Sequence, residues 1–135
     1  MAVMTRRIQS VVAAGALCLA ALAAAPAAKK HTHLERSEPA KDSTITVAPT
    51  AVKLWFSEAV QIPVTTIRVT RADSSALDLS AARMGTGQHA PVIADIRGQV
   101  APGRYSVAWR TMSRDGHAVS GTFAFTLAAP ATPTH

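Results

Sequence analysis

Gly103-Arg104-Tyr105-Ser106-Val107-Ala108-Trp109-Arg110-Thr111-Met112-Ser113-Arg114-Asp115-Gly116-His117-Ala118-Val119-Ser120-Gly121-Thr122-Phe123-Ala124-Phe125-Thr126-Leu127 is the stretch that decides the fold. Tyr105, Val107 and Trp109 alternate with Ser106, Ala108 and Arg110. Phe123, Phe125 and Leu127 alternate with Thr122, Ala124 and Thr126. Side chains of a strand point to opposite faces in turn, so each run has one apolar and one polar face. Asp115-Gly116 between two such runs is a hairpin signal. The stretch predicts an antiparallel pair of strands with one face turned to a core.

Working outward, Val52, Leu54 and Phe56 alternate with Lys53 and Trp55. Ile67 and Val69 alternate with Arg68 and Thr70, and Val92-Ile93-Ala94-Asp95-Ile96 is a further strand candidate. Pro39, Pro49, Pro63, Pro91 and Pro102 fall between these segments, where a missing N–H does least harm. No convincing helical stripe follows residue 31; Ala76–Met84 is expected to hold at most a turn of helix, without strong caps. Met84 and Met112 read as core filler. The fold class is all-β, an antiparallel sandwich or small Greek-key barrel.

The first segment is set aside before the fold. Arg6 and Arg7 precede an almost wholly apolar run from Ile8 to about Ala25, and Ala25-Pro26-Ala27 fits an A-x-A cleavage site. Residues 1–27 are therefore expected to be a cleaved signal peptide, 28–30 a short linker or the mature amino terminus, 31–128 the domain, and 129–135 a flexible tail. Cys18, the only cysteine, leaves with the signal, which excludes disulfides, thiolate zinc sites and cysteine nucleophiles. About 108 residues remain, enough for one domain with a real core, and the formal charge falls from +6 to about +4. The remaining basic residues are dispersed and do not interleave with aromatics, which argues against nucleic acid. No Gly-x-Ser-x-Gly elbow and no phosphate loop is present.

Chemistry concentrates in the histidines. His31-Thr32-His33-Leu34 lies just past the export signal. A histidine at or near a new amino terminus can offer its ring and the terminal amine to one ion, an arrangement suited to Cu(II). In an extended segment His31 and His33 would lie on one side. Asp115 and His117 flank the Gly of the predicted turn, and a turn can hold both at one end of a sandwich. His89 reads as an exposed loop residue, and His135 lies in the tail.

Three stretches resemble the CopC family of periplasmic copper-binding proteins. His31-Thr32-His33-Leu34-Glu35-Arg36-Ser37-Glu38-Pro39-Ala40 is similar to its His-x-x-Leu…Ser-x-Pro-Ala opening. Val52-Lys53-Leu54-Trp55-Phe56-Ser57-Glu58-Ala59-Val60 resembles its strand ending in Phe-Ser-Glu-x-Val. Gly103 to Gly121 is similar to its Gly-x-Tyr-x-Val-x-Trp-Arg…Ser-x-Asp-Gly-His-x-Val-x-Gly signature. The resemblance implies a seven-stranded Greek-key sandwich, Ig-like or cupredoxin-like, with one Cu(II) per chain. Carried over residue by residue, it implies His31, Asp115 and His117 as ligands. Glu58 is implied as a weak ligand or an outer carboxylate that orients a ligand ring, with His33 a further candidate. It also implies a periplasmic monomer for copper resistance or homeostasis, acting by buffering, storage or delivery without turnover. An inner-membrane copper importer of the CopD type is the implied partner.

Two departures bear on this. Only Met84 and Met112 survive signal removal, so no dedicated Cu(I) site is expected. Ala28-Lys29-Lys30 separates the cleavage-like motif from His31. A cut after Ala27 leaves His31 fourth, a cut after Ala28 creates a Lys-Lys-His copper-binding terminus, and a cut before His31 frees its own amine. Two alternatives stay open: a copper-dependent oxidative enzyme of the histidine-brace type, and a metal-free sandwich that binds a partner protein.

Overall fold

A computed structural model describes residues 31–130 of the 135-residue chain. The signal-peptide, linker and cleavage-site expectations lie outside the described residues, as does the end of the expected tail.

Two sheets are built from nine strands among the described residues: β1 (Leu34–Glu38), β2 (Thr44–Ile45), β3 (Ala51–Phe56), β4 (Thr66–Arg71), β5 (Asp78–Leu79), β6 (Arg83–Met84), β7 (Val92–Arg97), β8 (Gly103–Met112) and β9 (Ala118–Leu127). A 3₁₀ turn, Ile62–Val64, precedes β4. One sheet runs β1-β3-β7-β5 with β6 also paired to β7; the other runs β2-β9-β8-β4. The all-β, two-sheet architecture is as expected. Of the nine strands, against an expectation of seven, β2, β5 and β6 are two-residue pairings.

The long hairpin forms in the register its alternation predicts. Tyr105 stands opposite Phe125, Val107 opposite Phe123, and Trp109 opposite Gly121. All of these but Gly121 are buried, together with Leu127, while Ser106, Ala108 and Arg110 are exposed. Val52, Leu54 and Val92 of the other sheet join Val69, Tyr105, Val107, Trp109, Phe123, Phe125 and Leu127 in one core cluster. Each fully buried Val, Leu or Phe contributes about 1.5–3 kcal/mol of apolar burial. Tyr105 and Phe125 stack at 5.3 Å, and Phe56 meets Trp109 edge-on at 5.1 Å.

Two expectations fail. Ala76–Met84 forms no helical turn: Leu77 and Leu79 fall on the sheet side, Asp78–Leu79 pairs with Arg97–Ile96, and Arg83–Met84 pairs with Ile93–Val92. Backbone pairing to β7 outweighs the weak helix propensity of a segment without caps. Met84 is not core filler, since it is 48% exposed.

Candidate metal centre

Chain direction brings the start of β1, the end of β3, the end of β8 and the start of β9 to one end of the domain. The chemistry-bearing residues gather there. Asp115 and His117 sit on the β8–β9 turn, which is closed by Ser113 N–H to the His117 carbonyl (2.9 Å) and Gly116 N–H to the Ser113 carbonyl (3.0 Å). Gly116 has φ +90°, a left-handed conformation that glycine adopts without steric cost. The predicted Asp-Gly turn therefore forms.

Within that turn the Asp115 carboxylate is contacted through both oxygens. Oδ1 accepts from the Ser113 hydroxyl and from the His117 backbone N–H (3.1 Å), and Oδ2 lies 2.9 Å from His117 Nδ1. The Ser113 hydroxyl first, then the His117 N–H and ring, hold the Asp115 carboxyl well below the usual carboxylate range. The carboxylate holds the imidazole through Nδ1, and Nε2 takes no part in this contact. Both side chains are about three-fifths exposed, so solvent and ions reach them.

Across this end, His31 and His33 are exposed, and Thr32 between them is buried. Thr32 Oγ1 donates to Glu58 Oε2 (3.2 Å). His33 N–H donates to Ser57 Oγ (3.0 Å), and the His33 carbonyl accepts from Ser57 N–H (2.9 Å). His33 Nδ1 stands 3.2 Å from the His31 carbonyl. The histidine-bearing segment is thus a ladder partner of the β3 end, with Glu58 tied to the residue that follows His31.

The segment after Glu58 joins both halves. Val60 bridges to Ser113, Gln61 N–H donates to the Met112 carbonyl (2.9 Å), and Gln61 Nε2 donates to the Ser113 carbonyl (2.9 Å). The structure places Asp115 and His117 in direct contact, and Glu58 in contact with the His31–His33 segment. Among the described residues no three His, Cys, Asp or Glu side chains converge closely enough to hold an ion. Ser113, Thr32 and Gln61 are contributors that sequence reasoning missed. The Ser-x-Asp spacing, in which a serine two residues before an aspartate closes a turn, was the available signal for Ser113.

A CopC domain matches residues 34–128. The chain is 28% identical over 102 residues to Protein YobA of Escherichia coli K12, covering 76% of this chain and 82% of that protein. It is 25% identical over 97 residues to the copper transport protein CutJ of Bacillus subtilis, covering 72% of this chain but 18% of CutJ. Among solved structures, CopC from Methylosinus trichosporium OB3b superposes with a TM-score of 0.66 at 24% identity, covering 77% of this chain and all of that one. PcoC, a methionine-rich copper resistance protein from Escherichia coli, gives 0.64 at 26% identity, covering 72% and 98%. With a family match over most of its length and the same two-sheet fold, this chain belongs to the CopC family.

Proposed function

We propose that the protein binds one Cu(II) at the end of the sandwich that carries the β8–β9 turn, and serves copper resistance or homeostasis as a periplasmic buffer, store or carrier. The observation that carries this reading is the Asp115–His117 pair, whose Nδ1 contact leaves His117 Nε2 free on a hydrogen-bonded turn. The donor types suit Cu(II), which favours imidazole and amine nitrogen in a tetragonal plane with carboxylate for charge balance. His117, Asp115 and His31 are the proposed ligands. His31 would move onto the ion from its exposed position, with Glu58 and His33 as further ligands or outer partners. The printed names of PcoC and CutJ, copper resistance and copper transport, support copper as the cargo.

Cargo binding requires no turnover, and the protein is read as a monomeric binder rather than an enzyme. Delivery to an inner-membrane importer of the CopD type is the proposed onward step. The test is a Cu(II) titration followed by electron paramagnetic resonance. One equivalent is expected to give a tetragonal signal with nitrogen hyperfine structure, and His117→Ala is expected to lose it. An unchanged signal in both His117→Ala and His31→Ala would reject the site.

A further inference from the structure

Strand alternation gives the β2-β9-β8-β4 sheet two faces of different chemistry. Tyr105, Val107 and Trp109 turn to the core, so Arg104, Ser106, Ala108 and Arg110 turn outward and are exposed. Arg104 and Arg110 are about 20 Å apart along β8 at the rise of a strand. Between them, register sets the exposed Arg68 of β4 and Thr122 of β9 on either side of Ala108. None of the four strands carries an Asp or Glu. Asp42 precedes β2 at the edge of the sheet, where its N–H donates to the Ala124 carbonyl (2.7 Å). The outer face of the other sheet differs. There Arg36 pairs with Glu38, Arg83 with Asp95 (3.0 Å) and Arg97 with Asp78 (3.8 Å). Among the described residues Arg68, Arg104 and Arg110 enter no ion pair.

We propose that this face is an adsorption surface for an anionic lipid bilayer, on which Arg68, Arg104 and Arg110 meet lipid phosphates. Charge complementarity carries the assignment: three guanidinium groups share a face whose strands hold no acid, while the cations of the other face have acidic partners. A guanidinium presents a planar fork of donors that matches a phosphate. The side chains between the arginines, Ser106, Ala108 and Thr122, are short and hold none of the cations off a flat array of headgroups. A protein interface is centred instead on aromatic or large apolar anchors. The aromatic residues of this sheet, Tyr105, Trp109, Phe123 and Phe125, are all buried in the core. A second copy docked by the same face would bring like charges together. Attachment of this kind is electrostatic, reversible and sensitive to salt. It stands whether or not the Asp115–His117 end takes copper.

The test is co-sedimentation of the exported protein, in metal-free buffer, with vesicles of phosphatidylcholine alone or mixed with phosphatidylglycerol. Binding is expected to the mixed vesicles only, and to fall as salt is raised. The double variant Arg68→Thr, Arg110→Thr is expected to weaken it about 25-fold, at about fivefold for each cation near the surface. The charge-matched double variant Arg83→Thr, Arg97→Thr, on the other sheet, is expected to stay within about twofold of the parent. All four side chains are exposed, threonine suits a strand, and retained β8–β9 amide resonances show that each variant keeps its fold. Lys29 and Lys30 are common to both variants and cancel in the comparison. Equal losses in the two double variants would show a response to net charge alone and overturn the assignment. A parent that does not bind phosphatidylglycerol vesicles at low salt also overturns it, and leaves an acidic protein as the partner of this face.

Discussion

A Cβ placed on Gly121 would fall 2.6 Å from Cζ2 of Trp109, its register partner across β8 and β9. The indole therefore occupies the space that any other side chain at 121 would need. It is braced on its other side by Phe56, at 5.1 Å edge-to-face. Gly121→Ala is expected to cost about 1–3 kcal/mol, as overpacking a rigid core does. A urea melt followed by Trp fluorescence should show a lower midpoint at unchanged slope. A variant as stable as the parent would contradict the position of the indole.

The brace that links the two halves of the candidate centre depends on a buried pair. Thr65 Oγ1 and Thr111 Oγ1 are 2.7 Å apart, and Thr65 also donates to the Gln61 carbonyl (2.7 Å). Thr111→Val keeps the volume and removes one hydrogen bond, leaving Thr65 with its other partner. The expected loss is about 1 kcal/mol, read as a shift in the chemical-denaturation midpoint. Thr65→Val also removes the bond to Gln61 and should cost more than Thr111→Val, with altered amide shifts at Gln61 and Ser113.

For copper, the paired geometry of the β8–β9 turn ranks the variants. Asp115→Ala frees the His117 ring from its 2.9 Å contact and is expected to weaken Cu(II) by about 10–100-fold. His117→Ala removes the ring itself and should weaken it further. Competition titration against a chromogenic chelator reads both, and the reverse ranking would argue that the imidazole is not a ligand.

Away from the metal centre, Arg83 makes two hydrogen bonds to Asp95, at 3.0 and 3.1 Å. The guanidinium bonds hold the Asp95 carboxyl below the usual carboxylate range. The sign follows from linkage: with the folded value depressed, this pair's contribution is complete above the ordinary carboxylate pKa of about 3.9. It is lost as pH falls through the lower folded value. Arg83→Met should return the Asp95 side-chain carboxyl titration, read by ¹³C NMR, toward the ordinary value. No upward movement would show that the pair does not persist in solution.

The long hairpin was legible because twenty paired positions in β8 and β9 repeat with period two around a turn that needs a glycine. Asp115 and His117 were legible for the same reason, since the turn fixes them. β1 was not. Leu34-Glu35-Arg36-Ser37-Glu38 carries charges on both sides, and its buried member is Ser37, whose hydroxyl donates to the Pro39 carbonyl (2.9 Å). β1 pairs with β3 alone, at the edge of its sheet, where charged residues are common. Two-residue strands such as β5 and β6 have no period to read and exist through their partner β7. The same is true of the bracing contacts. Nothing local marks Val60 as the partner of Ser113; the pairing depends on the register of distant strands.

One Cu(II) is proposed to be held at the end of the sandwich carrying Asp115 and His117. Native intact-mass spectrometry of the protein exported from its cells, with and without one equivalent of Cu(II), tests it most directly, because one spectrum reports both the amino terminus and the metal count. The expected spectrum shows a chain beginning between Ala28 and His31 that retains a single copper, and loses it in His117→Ala. An exported chain of that length that retains no copper would contradict it.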